Sequence, residues 1–313
     1  MIDEPIKKGA VAPLLGLLVA VLAVSTGSIF IRLAQGEVEP LTISFYRLGI
    51  AALVLLPFAY RSRNEATALE KKEWLLLLIG GVCLSLHFVS WVSSLRYTSV
   101  ISSVVIVTSA PLWVALLSPV LLKENITNGA KVGMVLALLG GLLVAASGSF
   151  QIQQGQVVWM GMEIPATSNK VWLGNLLALA GAWFAAGFLL AGRKMRPRLS
   201  LGLYTFLLYG IAAVCMLLFL LVFRQPMTGF SGKMYLWLAA MAFIPQLIGH
   251  TLLNWALGYV SAAYVSVALL GEPVGATLLA LIFLKEVPGL LEVSGAVVIL
   301  IGIYVVSVFE NRR

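Results

Sequence analysis

Charge is scarce in this sequence. Asp, Glu, Lys and Arg together supply 11% of its 313 residues, against 60% hydrophobic ones. A soluble domain carries roughly 25% charged residues. Too few are present to clothe a sphere in water, so much of the surface must face lipid. Histidine and cysteine are scarcer still: His87, His250, Cys83 and Cys215 are the whole supply. That excludes a disulfide framework and a histidine- or cysteine-rich metal centre. No glycine-rich loop ends in Gly-Lys-Ser or Gly-Lys-Thr, which argues against ATP use within the chain. No His-Glu-x-x-His or paired-Asp motif occurs, so an intramembrane enzyme is disfavoured and no cofactor is expected.

What the chain has in abundance is apolar runs. A membrane helix needs about 20 mainly apolar residues. Ten such runs read as spans near 10–34, 40–60, 74–95, 99–122, 129–149, 172–192, 200–223, 234–257, 261–284 and 290–309. Lys7 and Lys8 before the first run imitate a signal peptide, but the run is long enough to be read as a retained helix. The polar, Gln-rich stretch 150–171 reads as a linker between residues 10–149 and 172–309. The expected architecture is an all-α integral membrane protein.

The net charge of +8 would suggest nucleic acid in a soluble protein. Here the basic residues flank the apolar runs, so membrane topology explains them and no nucleic-acid partner is expected. With the N-terminus placed in the cytoplasm, fourteen Lys and Arg fall on that side and six on the other. The bias predicts a multi-pass protein of the cell (inner) membrane with both termini cytoplasmic.

The sequence repeats itself. Residues 95–144 overlay 257–306 at a shift of 162 without a gap. Pro111, Lys123, Glu124, Gly133 and Gly140 meet Pro273, Lys285, Glu286, Gly295 and Gly302. A repeat of five spans is odd in number, so the second copy enters the membrane upside down. Ten helices then form two inverted five-helix repeats around a central cavity, and rocking exposes that cavity to each side in turn.

At these residues the sequence resembles the drug/metabolite transporter superfamily, EamA type. The marks are Ser44-Phe45-Tyr46-Arg47, Ala110-Pro111-Leu112 and Leu122-Lys123-Glu124 in the first repeat. Gly271-Glu272-Pro273 and Leu284-Lys285-Glu286 follow in the second. The resemblance covers nearly the whole chain. It implies a ten-helix fold and transport, with relatives that export amino acids and other metabolites. One departure is that Ala110 precedes Pro111 where Glu272 precedes Pro273, which confines any carboxylate role to one repeat.

Ionisable groups inside spans are costly and mark function by default. Glu272 is read as a proton-coupling or substrate-amine site, or as a group bonded to backbone freed by Pro273. Arg47 either holds a substrate carboxylate or has a structural role. His87 and Trp91 are four apart, as are His250 and Asn254, with Gln246 one turn earlier, so each set shares a helix face. Both stripes are expected to line the cavity, with Trp255 nearby as a second stacking surface. Pro111 and Pro273 are expected to break their helices beside the path, and Thr108, Ser109 and Ser266 lie near those breaks. Ser25, Thr26 and Ser28 form an ambiguous polar patch in the first helix. The expected function is a secondary transporter, in the sense of an exporter, of a small organic metabolite such as an amino acid or aromatic compound by alternating access. Proton coupling and uncoupled facilitation both fit, and a lipid-carrier flippase is the alternative. Its partners are then a small-molecule substrate, membrane lipid and, if coupled, protons; a monomer suffices.

Overall fold

The computed structural model describes residues 11–34, 37–94, 97, 106–107, 109–147, 150–153, 156–159, 170–279, 281–282 and 289–310. Thr108, Lys285 and Glu286 lie outside these residues. Helices dominate: α1 (Val11–Ser25), α2 (Gly27–Ala34), α3 (Pro40–Arg61), the short α4 (Arg63–Thr67), α5 (Lys71–Ser94), α6 (Ala110–Leu121) and α7 (Asn128–Ser147) precede the linker. After it come α8 (Val171–Met195), α9 (Leu201–Val222), α10 (Gly232–Met241), α11 (Thr251–Ala256), α12 (Ala262–Ala268), α13 (Glu272–Leu279) and α14 (Leu290–Glu310). The linker is not wholly irregular. It carries a two-stranded antiparallel hairpin, β1 (Phe150–Gln153) and β2 (Gln156–Trp159), with Phe150 opposite Trp159.

Five described helical stretches are long and apolar enough to cross a bilayer: Pro40–Arg61, Lys71–Ser94, Trp172–Met195, Leu201–Val222 and Gly232–Ala256. Five shorter apolar helices accompany them. Large apolar side chains stand exposed along them, Leu116, Val120 and Val222 among them, as lipid-facing residues must.

The shorter helices are short because the runs are broken. The first bends at Thr26, between α1 and α2. Pro111 occupies the first turn of α6, where its missing N–H costs nothing. A 3₁₀ turn, Leu269–Gly271, separates α12 from α13, and Pro273 is the second residue of α13. Between α10 and α11, residues Ala242–His250 form a π-helical segment containing Pro245. Proline removes a backbone donor and crowds the preceding turn, and a wider i→i+5 turn relieves both.

The helix pairs are closed under exchange of the two copies. α3 packs on its counterpart α9, and α7 on its counterpart α14. A Cβ built on Gly133 would stand 2.7 Å from the carbonyl oxygen of Gly302, and one on Gly140 2.7 Å from that of Gly295. Since Gly295 and Gly302 are the repeat equivalents of Gly133 and Gly140, each glycine meets the equivalent of the other. That reciprocity is the mark of a two-fold axis, and it requires α7 and α14 to run antiparallel. The same holds for α3 and α9, because Thr42 Oγ1 at the start of α3 donates to Pro226 O beyond the end of α9 at 2.9 Å. The first helix of each copy crosses over. α1 packs on the π segment, α11 and α13, and α8 packs on α5 and α6. The cavity therefore lies between two bodies that each mix both repeats, α1 joining helices of the second copy and α8 helices of the first.

Candidate substrate cavity

The cavity at the centre of these bodies has a volume of about 120 Å³. Arg47, His87, Trp91, Pro111, His250, Ser266 and Glu272 line it, with Phe88 and apolar residues from α1, α6 and α8. It brings together residues that stand up to 248 positions apart in the sequence, from Val24 to Glu272.

Arg47 comes from α3 and is buried. Its Nε donates to Gln246 Oε1 at 2.6 Å, and its guanidinium lies 4.5 Å over the Phe88 ring. Both contacts stabilise a cation away from water. Among the described residues no carboxylate lies within the 4.0 Å of an ion pair with it. The side-chain hydrogen bond to Gln246 uses one of the five guanidinium N–H groups, so the terminal nitrogens remain for a ligand. Glu272 opens α13 of the second repeat, and its carboxylate likewise has no hydrogen bond or ion pair among the described residues. The backbone carbonyl of Glu272 lies 3.0 Å from Ser25 Oγ, which also bonds Val21 O at 2.7 Å. The break after α1 is thus tied to the start of α13.

His87 has its Nδ1 2.9 Å from Gly181 O. A carbonyl can only accept, so Nδ1 carries the proton and a neutral ring presents Nε2 as an acceptor. The ring stacks on Trp91 at 6.1 Å with an interplanar angle of 13°. Phe88 links the group: its ring is 5.2 Å from His87 and 5.9 Å edge-on to His250. Nothing in the sequence singled out Phe88, because one more aromatic in an apolar helix carries no signal.

Other expected site residues lie elsewhere. Gln246 is buried behind Arg47 and is not in the cavity wall. It sits inside the π segment, where a residue four positions on no longer lies directly above, so the stripe Gln246–His250 is broken. Asn254 lies one turn past His250. It donates through Nδ2 to His250 O at 2.8 Å and to Tyr209 Oη at 3.4 Å, and its backbone carbonyl accepts from Arg196 Nε at 3.0 Å. Trp255, one residue further, turns about 100° around the helix. Its ring packs on Tyr259 at 4.9 Å and over Gly16 of α1. Pro273 lies in the first turn of α13 without lining the cavity. Ser266 reaches the wall, but its hydroxyl donates to Ala263 O at 2.8 Å. Ser109 Oγ donates to Ile106 O at 2.6 Å and accepts from Trp113 Nε1 at 3.2 Å.

A second small cavity shares Ile31, Arg47, Phe88 and Trp91 with the first and continues to Pro40 at the start of α3. On the opposite membrane face Arg193, held by Glu124 within its own body, reaches across to the other. Glu124 Oε1 accepts from Arg193 Nε at 2.7 Å, and Arg193 Nη1 donates to Leu257 O at 2.9 Å. A central cavity inside a two-fold bundle of inverted copies is the anatomy of a carrier.

Two segments, residues 12–146 and 172–308, each match the EamA-like transporter family. The chain belongs to that family. An uncharacterized transporter of Archaeoglobus fulgidus is 22% identical over 302 residues, 95% of this chain and 98% of the relative. The transporter YyaM of Bacillus subtilis, also uncharacterized, is 24% identical over 291 residues, covering 91% and 90%. The pseudopaline exporter CntI of Pseudomonas aeruginosa is 23% identical over 295 residues, covering 93% and 95%. A solved crystal structure superposes with a TM-score of 0.77 at 18% identity, covering 96% of this chain and 98% of its own, which shows a common fold. This EamA-like protein is therefore a multi-pass membrane transporter with a small-molecule substrate, and not an enzyme.

Proposed function

We propose that this EamA-like transporter exports a small amphoteric metabolite, an amino acid or an aromatic compound, by alternating access. One observation carries the reading. Arg47 of the first repeat and Glu272 of the second face one cavity, and neither has an ion-pair partner among the described residues. An unpaired buried charge is costly, and a solute bearing both signs satisfies the two at once. The flat surface of His87 stacked on Trp91 suits a planar or apolar substituent. In the export reading both termini are cytoplasmic in the cell membrane, so the Glu124–Arg193 face is the inner one and the cavity leans outward. A relative named as an exporter supports that direction.

Proton coupling assigns Glu272 a second task. A proton and the solute compete for its carboxylate, so protonation from outside releases substrate and deprotonation inside admits it. Purified protein in liposomes tests both parts. With a radiolabelled amino-acid mixture inside and a pH gradient imposed, coupled transport drives flux uphill, and Glu272→Gln flattens its pH dependence. Downhill flux alone, indifferent to pH in both proteins, would leave a facilitator. Arg47→Ala that folds normally and still transports with unchanged KM would remove Arg47 from the binding site.

A further inference from the structure

The lipid-facing surface carries a groove of about 270 Å³ between α5 and α9. Val82 and Leu86 form one wall; Cys215, Leu218, Val222 and Phe223 form the other, with Ser85 the single polar member. Its shape follows from a glycine. A Cβ on Gly81 would stand 3.2 Å from Leu208 O, so the helices cross there almost backbone to backbone. Residues 82–86 then face residues 215–223, so the two helices run the same way and splay apart beyond the crossing. The groove widens toward the end of α9.

Leu218, Val222 and Phe223 are each more than half exposed at this rim, and all are apolar. At membrane depth the filler of such a groove is an acyl chain. Lipid tails are as apolar as leucine, so the chain by itself gains little by staying. Retention needs a grip on the head. Arg224 follows Phe223 directly, is exposed, and has no ion pair or side-chain hydrogen bond among the described residues. Its φ is +50°, a conformation in which glycine is cheaper. It also lies on the face that carries few basic residues, so the inside-positive charge bias does not account for it. A guanidinium there matches a phosphodiester in geometry and charge.

We propose that this groove is a phospholipid site, holding one acyl chain of a lipid from the leaflet at the α9 terminus, with the phosphate on Arg224. The proposal does not depend on what the central cavity carries. It is tested on the full-length protein in phosphatidylcholine nanodiscs containing a minor share of phosphatidylglycerol with a mid-chain diazirine. After illumination, labelled residues are mapped by mass spectrometry. The expected labels concentrate on residues 82–86 and 215–223, and Arg224→Gln lowers them about five-fold, the worth of one basic contact near a charged headgroup. Labels spread at equal density over the lipid faces of α7 and α14 would reduce the site to ordinary boundary lipid. Unchanged labelling in Arg224→Gln would overturn the phosphate contact. Loss of label to excess free fatty acid, but not to excess phosphatidylglycerol, would overturn the choice of phospholipid.

Discussion

At the scale of single residues the decisive feature is how Arg47 is held. Its Nε is committed to Gln246 at 2.6 Å and its face to Phe88, which aims the terminal nitrogens into the cavity. Gln246 is therefore a positioning residue. Replacing it by leucine leaves a buried guanidinium without its acceptor, and a hydrogen bond to a charged group contributes about 1.5–3 kcal/mol. Gln246→Leu is expected to lower the melting temperature of the detergent-solubilised protein and to raise KM. Gln246→Glu keeps the acceptor and adds a carboxylate. It is expected to restore the melting temperature while still weakening substrate binding, because it neutralises the cation that the substrate needs. Equal recovery of both properties would mean that Arg47 serves packing alone.

At the scale of elements, the helices and their breaks were largely legible. Apolar length marks the spans, and Pro111 and Pro273 stand at the starts of α6 and α13, where the chain resumes after a break. The candidate site was legible only where helix periodicity stayed regular. His87 and Trp91 share a wall because α5 is an unbroken α-helix, whereas Pro245 introduces a π segment that no sequence stripe anticipates. Trp255 falls outside the cavity wall because adjacency in sequence is a quarter turn in space, and Phe88 was missed because its burial is a tertiary property. The hairpin in the linker was hidden by its polar composition. Tertiary geometry also sets the closure between elements. Glu124 follows Lys123, whose φ of +58° turns the chain out of α6 and presents the carboxylate to Arg193 at the end of α8. Both side chains are about a quarter exposed, so the pair alone is worth no more than about 1 kcal/mol. That is enough to tilt an equilibrium between states of similar stability roughly five-fold. Arg193→Ala is expected to increase alkylation of a Ser266→Cys reporter from the Glu124 face. Alkylation unchanged from either side would show that the pair does not hold this face shut.

At the scale of the whole molecule, the two-fold axis makes a demand that no single helix does. α3 and α9 are equivalent spans, and the chain leaves them through equivalent turns, residues 62–70 after α3 and residues 223–231 after α9. Two copies of the same orientation would place both turns on one membrane face. Antiparallel packing of α3 on α9 places them on opposite faces, and the reciprocal approach of Gly133 to Gly302 and Gly140 to Gly295 holds α7 and α14 in the same relation. Cross-contacts fix each face separately: Ser200 N donates to Glu65 at 2.6 Å on one, and Ser231 N donates to Glu37 at 3.0 Å on the other. The consequence is measurable in intact cells. In a background where Cys83 and Cys215 are alanine, single cysteines at the exposed positions Asn64 and Arg198 are expected to share one compartment. A cysteine at Thr228 is expected to react only from the other, because the span of α9 separates it from Arg198 and inversion separates it from Asn64. A membrane-impermeant maleimide added outside should label Thr228→Cys alone, the basic residues near 61–72 and 193–198 keeping the other two inside. Labelling of Asn64→Cys and Thr228→Cys from the same side would be incompatible with inverted copies, and with a cavity that each body opens to a different face.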